Sequence, residues 1–226
     1  PVFCSGHDLQ EFVKRKSSSC GKSSNNRDSD DDGKLSSLMK LCSSVMRSIT
    51  ELKKPVIAQV DGIATAAGCQ LVASCDLAYA SPTSKFALPG VNIGLFCPTP
   101  AVAVARSVSS PKHAMHMLLT GDAISAKEAA RIGLINAVVP DENGDENVND
   151  DDGDGNGGVG SETSNLEDTV LEIATKIASK SPTAIAIGKP FFYKQLELPL
   201  DEAYDVASDR KSTRLNSSHA NISYAV

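Results

Sequence analysis

Apolar positions along the chain fall into two rhythms, one of helical spacing and one of short continuous runs, separated by long polar stretches. In "LSSLMKLCSSVMRSITEL" the residues Leu35, Leu38, Leu41, Cys42, Val45, Met46, Ile49 and Leu52 recur every three or four positions, which predicts a strongly amphipathic helix. "KPVIAQVDG" follows: Pro55 ends that helix, and Val56, Ile57, Ala58 and Val60 predict a short, largely apolar strand. A helix is expected over 67–74, then a strand in "DLAYAS" and a shorter one around "KFAL". "TPAVAVARSV" and "PKHAMHMLLTG" predict two more helices, the second closed by Gly121. In "SAKEAARIG", Ser125 is the N-cap, Glu128 its capping-box partner and Gly133 the stop.

"LINAVVP" predicts another strand, and helices over 166–179 and 182–196 finish the body. Near the start, "HDLQEFVKRK" has the acidic beginning and basic end that suit a short helix. Strands alternating with helices define an α/β domain.

Two stretches break the pattern. Residues 16–34 are mostly Ser, Asn, Asp and Gly, and 141–164 are acidic and Gly-rich, so both read as disordered insertions in one domain spanning 1–209. The carboxylates of the second have no scaffold to hold a metal, and no metal site is expected. At the end, "RKSTRLNSSHANISYAV" abandons the helical pattern, and 210–226 read as a non-native tail. The opening "PVFC" enters an apolar run at once, as a strand cut at its N-terminal side would.

Composition sharpens the picture in three places. Aromatic content is only 4% with no Trp, so Ala, Val, Ile and Leu must supply the core. The net charge of −6 is concentrated: eight acids and no base lie between Asp141 and Asp154, and the rest of the chain is close to neutral. No basic face argues for nucleic acid. The six Cys show no CxxC and no zinc spacing, as expected of reduced thiols, and no apolar run is long enough to span a membrane.

The chemistry starts in "VDGIATAAGCQLVASCD", a strand end, a turn of Gly and Ala, and a helix opening on Gly-Cys-Gln. A helix N-terminus presents unpaired N–H groups and the positive end of its dipole, and small residues let a carbonyl oxygen approach them. Tight strand–helix packing also calls for Gly and Ala, so one such turn decides little. A second occurs in "FCSGHDL", where Ser5-Gly6 turns and His7 and Asp8 open a helix. Two turns, each giving one N–H to one oxygen, would form an oxyanion hole for a carbonyl such as a thioester's.

With these residues the chain resembles the enoyl-CoA hydratase/isomerase, or crotonase, superfamily. The resemblance runs through "VFCSGHDL", "KPVIAQVDGIATAAGCQLVASCDLAYAS", "KFALPGVNIGLF" and "LLTGDAISAKEAARIGLINAVVP". "ATAAGCQLVASCD" and "PGVNIGLFC" look most similar to its enoyl-CoA hydratase domain-containing protein 3 group, a mitochondrial branch. It implies an α/β spiral of ββα units of the ClpP/crotonase kind with C-terminal helices, an acyl-CoA partner, a role in fatty-acid metabolism, and assembly of the full-length protein into homotrimers or hexamers. The substrate travels as a coenzyme A thioester, with no separate cofactor. Carried over by position, the oxyanion donors are the backbone N–H groups of His7 and Ala67, with Gly68 beside the second. Ser5, Asp8 and Leu9 would lie along the coenzyme, and the His7 side chain would face solvent or coenzyme phosphate.

Family hydratases place two glutamates about this hole to add and remove the elements of water. Here the two positions hold Gln70 and Gly90. An amide orients a water but takes no proton, and glycine does neither, so ordinary hydration is not expected. Two readings stay open: an acyl-CoA enzyme using the hole with another base or with substrate-assisted chemistry, and a non-catalytic acyl-CoA-binding or regulatory protein. A serine peptidase on the related spiral fold finds no Gly-x-Ser-x-Gly element, and Ser74 has no motif around it. Cys69, Cys75 and Cys97 read as small packing residues, and His113 and His116 as surface or packing residues.

Overall fold

The computed structural model describes residues 1–7, 28–140 and 165–208. Short strands and helices alternate: β1 (Val2–Cys4), α1 (Asp28–Glu51), β2 (Ile57–Val60), β3 (Ile63–Thr65), α2 (Ala67–Ser74), β4 (Leu77–Ala80) and β5 (Lys85–Ala87). A 3₁₀ turn at Pro89–Ile93 leads to α3 (Pro98–Ser107), α4 (Pro111–Thr120), β6 (Ile124–Ser125), α5 (Ala126–Arg131) and β7 (Ala137–Val138). Three helices close the described chain: α6 (Leu166–Ala178), α7 (Pro182–Gln195) and α8 (Leu200–Ser208).

Successive strands are dealt to two sheets. One has the order β1-β3-β5-β6 and the other β2-β4-β7. Pairing is parallel except between β5 and β6. Each strand pair followed by a helix is one turn of a ββα spiral, as expected.

Where the sheets meet, the inward positions are small: Ala58, Val60, Ala64, Ala78 and Ala80 are all buried. Phe86, Leu88, Val104, Met117 and Ile132 fill the remaining core volume, and Phe86 is the one aromatic among the buried core residues. Alanine on the strands lets α2 approach the sheets closely. That closeness sets the geometry of the site below.

Most predicted elements stand where the pattern puts them, and α2 has the expected bounds. Ser125 caps α5 by accepting from Glu128 N–H at 3.2 Å, but the return bond of the capping box is replaced, because the Glu128 carboxylate pairs with Arg131 at 2.6 Å. Gly121 and Gly133 end their helices with φ of 70° and 86°.

Four expectations are corrected. α1 begins at Asp28, so 28–34 belong to a helix and not to an insertion; the acidic residues of that run suit a helix start. The small-residue turn after Val60 contains β3, held from both sides by β1 and β5. "LINAVVP" pairs only through Ala137 and Val138, while Leu134 and Ile135 are buried in the preceding turn. α8 follows Pro199, where the apolar pattern predicts no helix. The predicted helix in "HDLQEFVKRK" lies outside the described residues beyond His7, as do 141–164 and the tail.

Candidate functional site

The two turns singled out in the sequence interlock. Thr65 Oγ1 donates to Ser5 O at 3.2 Å across them. Gly6 has φ of 87°, and a Cβ built on it would stand 3.1 Å from Ala67 N. Gly68 is pressed against the other side of the same turn, where a Cβ would meet Cys4 O at 2.1 Å. Neither position accepts a side chain as it stands, which is why both are glycine.

Between them Ala66 adopts φ 51° and ψ −116°, the one positive-φ residue other than glycine among the described residues. Such a conformation costs on the order of 1–3 kcal/mol and persists where its surroundings enforce it. Ala66 N–H donates to Ala87 O at 2.9 Å, which fixes the turn against β5. No side chain caps α2, so the first N–H groups of the helix, beginning at Ala67, are left directed at the turn.

Gln70 lies one turn into α2. It is buried to 5% exposure, and its amide makes no hydrogen bond within the described residues, its polar atoms opening instead into a cavity. That cavity, of about 710 Å³, lies between α1, α2, α3 and α7, and its apolar wall includes Met46, Ala73, Val102, Phe192 and Leu196. Gly90 lies on the 3₁₀ turn, where Leu95 N–H donates to its carbonyl at 2.9 Å. The loop folds over it so closely that a Cβ would stand 2.5 Å from Leu95 O and 2.7 Å from Cys97 Sγ.

The cysteines divide by environment. Burial, with a smaller effect from Cys97, pushes the Cys69 thiol up to about 12, and it stays protonated. Cys75 is pushed up to about 11 by burial and by the Asp76 carboxylate, against the pull of Lys189. Cys69 is the fully buried packing residue expected, whereas Cys75 and Cys97 are half-buried.

His7 departs from the expectation. Its ring is half-buried, and its Nε2 lies 2.9 Å from Sγ of Cys42 on α1. Cys42 falls in the apolar stripe of that helix, and nothing local in the sequence links it to His7. Ser5 is exposed beside the turn; Asp8 and Leu9 lie outside the described residues. His113 is half-buried and His116 exposed on α4. The nearby Glu128 carboxyl is held below its ordinary range first by its hydrogen bond from Arg131 and only secondarily by these imidazoles.

A second polar cluster joins α7 to the body. Asp76 accepts from Lys189 Nζ at 2.6 Å, Val56 N–H at 2.7 Å and Tyr193 O–H at 2.8 Å. Lys189 Nζ also donates to the carbonyls of Ile49 at 2.7 Å and Lys54 at 2.9 Å. Burial and the Asp76 carboxylate raise the Tyr193 hydroxyl above its usual range, so it remains a donor. This cluster fixes α7, and with it the Phe192 side of the cavity.

A ββα spiral carrying two interlocked glycine turns, one opening an uncapped helix, defines a protein of the crotonase type. The Enoyl-CoA hydratase/isomerase family matches residues 1–149, and the chain belongs to that family. It is 46% identical over 208 residues to enoyl-CoA hydratase domain-containing protein 3, mitochondrial, of Rattus norvegicus, covering 92% of this chain and 57% of the relative. It is 32% identical to the short-chain-enoyl-CoA hydratase of Clostridium acetobutylicum, over 73% of this chain and 55% of that protein.

Among solved structures, an enoyl-CoA hydratase of Mycobacterium smegmatis aligns with a TM-score of 0.73 at 37% identity, covering 97% of this chain and 70% of that one. Human enoyl Coenzyme A hydratase domain-containing protein 3 aligns with a TM-score of 0.71 at 42% identity, covering 94% and 69%. The chain thus spans less than two thirds of the length of the curated relatives it matches. No described helix is long and apolar enough to cross a membrane.

Proposed function

We propose that this protein binds an acyl-CoA thioester, with the thioester oxygen accepting the backbone N–H groups of His7 and Ala67, and that it is a poor hydratase because Gln70 and Gly90 stand where hydratases carry glutamates. The observation that carries the binding reading is the closeness of the two turns, such that a Cβ on Gly6 would stand 3.1 Å from Ala67 N. The strained Ala66 and the uncapped start of α2 support it, since a ligand oxygen would satisfy N–H groups that no side chain reaches. The apolar cavity beside Gln70 has room for an acyl chain. The relatives of the enoyl-CoA hydratase domain-containing protein 3 group are named mitochondrial, and fatty-acid metabolism and a homotrimer or hexamer are what the resemblance implies for the whole protein.

Substituting Ala67→Pro removes one donor at the first helical position, where proline is compatible with a helix start. Affinity for butyryl-CoA should fall by about tenfold or more while affinity for free coenzyme A changes little, as measured by titration calorimetry. Equal losses for both ligands would sink the oxyanion assignment. The non-catalytic reading draws on Gly90, whose packing against Leu95 and Cys97 leaves no room for a carboxylate at the second position.

A further inference from the structure

We propose that Cys42 and His7 form a thiol–imidazole pair that takes the acyl group from the bound thioester, giving the protein acyl-CoA hydrolase activity. The inference rests on the thioester-binding reading above and supplies the base that reading lacks.

The geometry pairs a nucleophile with a base that stands next to the turn of the proposed hole. His7 follows Gly6, on which a Cβ would stand 3.1 Å from Ala67 N, so its imidazole springs from the backbone of the proposed hole. Its Nε2 is 2.9 Å from Cys42 Sγ, within the reach a general base needs. Both residues are half-buried and retain access to solvent.

Ser43 and Met46, from the same stretch of α1 as Cys42, line the 710 Å³ cavity. A second feature points to a ligand in that cavity. Gln70 is more than nine-tenths buried, and its amide faces the cavity with no hydrogen bond to the described residues. An amide so placed gains from a polar group brought into the cavity by a ligand. Among the described residues no other thiol is hydrogen-bonded to an imidazole. Cys69 is fully buried and held protonated, and no hydrogen bond joins it to an imidazole.

The chemistry closes without a redox partner. With Nε2 unprotonated, His7 takes the Cys42 proton as Sγ attacks the acyl carbon. The new S–C bond forms, the bond from acyl carbon to the coenzyme sulfur breaks, and the proton passes from His7 to the leaving sulfur. Water then attacks the acyl-Cys42 carbon and gives a proton to His7. The Cys42 S–C bond breaks and the proton returns to Sγ. The sum is acyl-CoA plus water giving a carboxylic acid plus coenzyme A, with each tetrahedral oxyanion held by the backbone donors.

The test uses butyryl-CoA, which is saturated, so neither hydration nor conjugate addition competes. Binding is measured by calorimetry, coenzyme thiol release by a colorimetric reagent, and the adduct by acid quench and peptide mass mapping. The inference expects release of coenzyme A and a butyryl group on Cys42. Cys42→Ser and Cys42→Ala should each lose the thioester adduct while binding butyryl-CoA within a few-fold of the parent. His7→Ala retains its backbone N–H, and should slow thiol release by ~10²–10⁴-fold with binding nearly unchanged. Binding without release, release that survives Cys42→Ala, or an adduct on Cys97 instead would overturn the inference and leave the binding reading intact. Absence of butyryl-CoA binding would overturn both.

Discussion

Gly90 and Cys97 occupy one small space: a Cβ on Gly90 would stand 2.7 Å from the Cys97 thiol and 2.5 Å from the carbonyl of Leu95. The absence of a side chain at 90 is therefore built into the packing of the loop, and any substitution there must displace Leu95 or Cys97. At Gln70 the position is open to the cavity but 5% exposed, so a carboxyl placed there would be shifted upward by desolvation.

The parent chain should hydrate crotonyl-CoA at least ~10²–10⁴-fold more slowly than a family hydratase assayed beside it, since one positioned acid or base is worth that much. Gln70→Glu with Gly90→Glu should recover only part of the rate and lose about 1–3 kcal/mol of stability to overpacking. Adding Cys97→Gly should return some of that stability. A parent as fast as the reference hydratase would show that another group supplies the acid and base.

Gly68 offers a test of the interlocked turns that removes no side chain. Its Cβ would meet Cys4 O at 2.1 Å, a backbone atom that cannot rotate away. Gly68→Ala should cost about 1–3 kcal/mol in urea unfolding and weaken butyryl-CoA binding by about tenfold or more. Gly188 on α7, where an added Cβ would meet nothing within 4 Å, provides the control, and Gly188→Ala should be neutral or slightly stabilising. Equal behaviour of the two variants would mean that the β1 and α2 turns are not pressed together.

Much of this fold is legible in the residues because the information is local. The bounds of α2 and the αL stops at Gly121 and Gly133 follow from helical spacing and from glycine. β3 is hidden because Ile63–Thr65 is only three residues long and owes its strand state to β1 and β5, distant in sequence. Leu134 and Ile135 look like strand residues, yet they fill the core from a turn. α8 is obscured by Pro199, which reads as a break although the helix starts just after it. At the site, the two turns are visible as glycine patterns, but their contact is not. The His7–Cys42 pair is harder still, since 35 residues separate the partners and Cys42 fits the apolar stripe of α1.

The raised thiols give the protein an alkaline limit. Cys69 and Cys75 have folded values of about 12 and about 11 against an ordinary 9.0. Each holds its proton in the fold above pH 9, where the unfolded chain loses it. The stability they contribute is full below pH 9 and is lost as pH rises toward 11 for Cys75 and 12 for Cys69. The slope is at most about 1.4 kcal/mol per pH unit for the sealed Cys69, and smaller for Cys75, whose partial exposure screens it. Urea unfolding between about pH 8 and 10.5 should show this decline, and Cys69→Ala, though less stable at the lower end, should show a shallower slope. An unchanged slope in that variant would contradict the burial of Cys69.

Lys189 and Asp76 join α7 to the body through a nearly buried ion pair. Their side chains are 7% and 14% exposed, and the ammonium reaches one carboxylate and two carbonyls while Asp76 also accepts from Val56 N–H and Tyr193 O–H. A buried pair gains little over an apolar replacement, because desolvation offsets attraction, but leaving one member alone is costly. Lys189→Ala strands the Asp76 carboxylate, and should lower stability by about 3–5 kcal/mol. Asp76→Asn keeps an acceptor for only one of Val56 N–H and Tyr193 O–H, which bond different carboxylate oxygens, yet the double variant should be less damaged than the sum of the single ones, with a coupling of roughly 1–3 kcal/mol. Because α7 bears Phe192 and Tyr193 on the cavity wall, Lys189→Ala should also weaken butyryl-CoA binding more than binding of free coenzyme A. A loss below about 0.5 kcal/mol, the range of an exposed surface site, would mean that α7 is not fastened to the body through this pair.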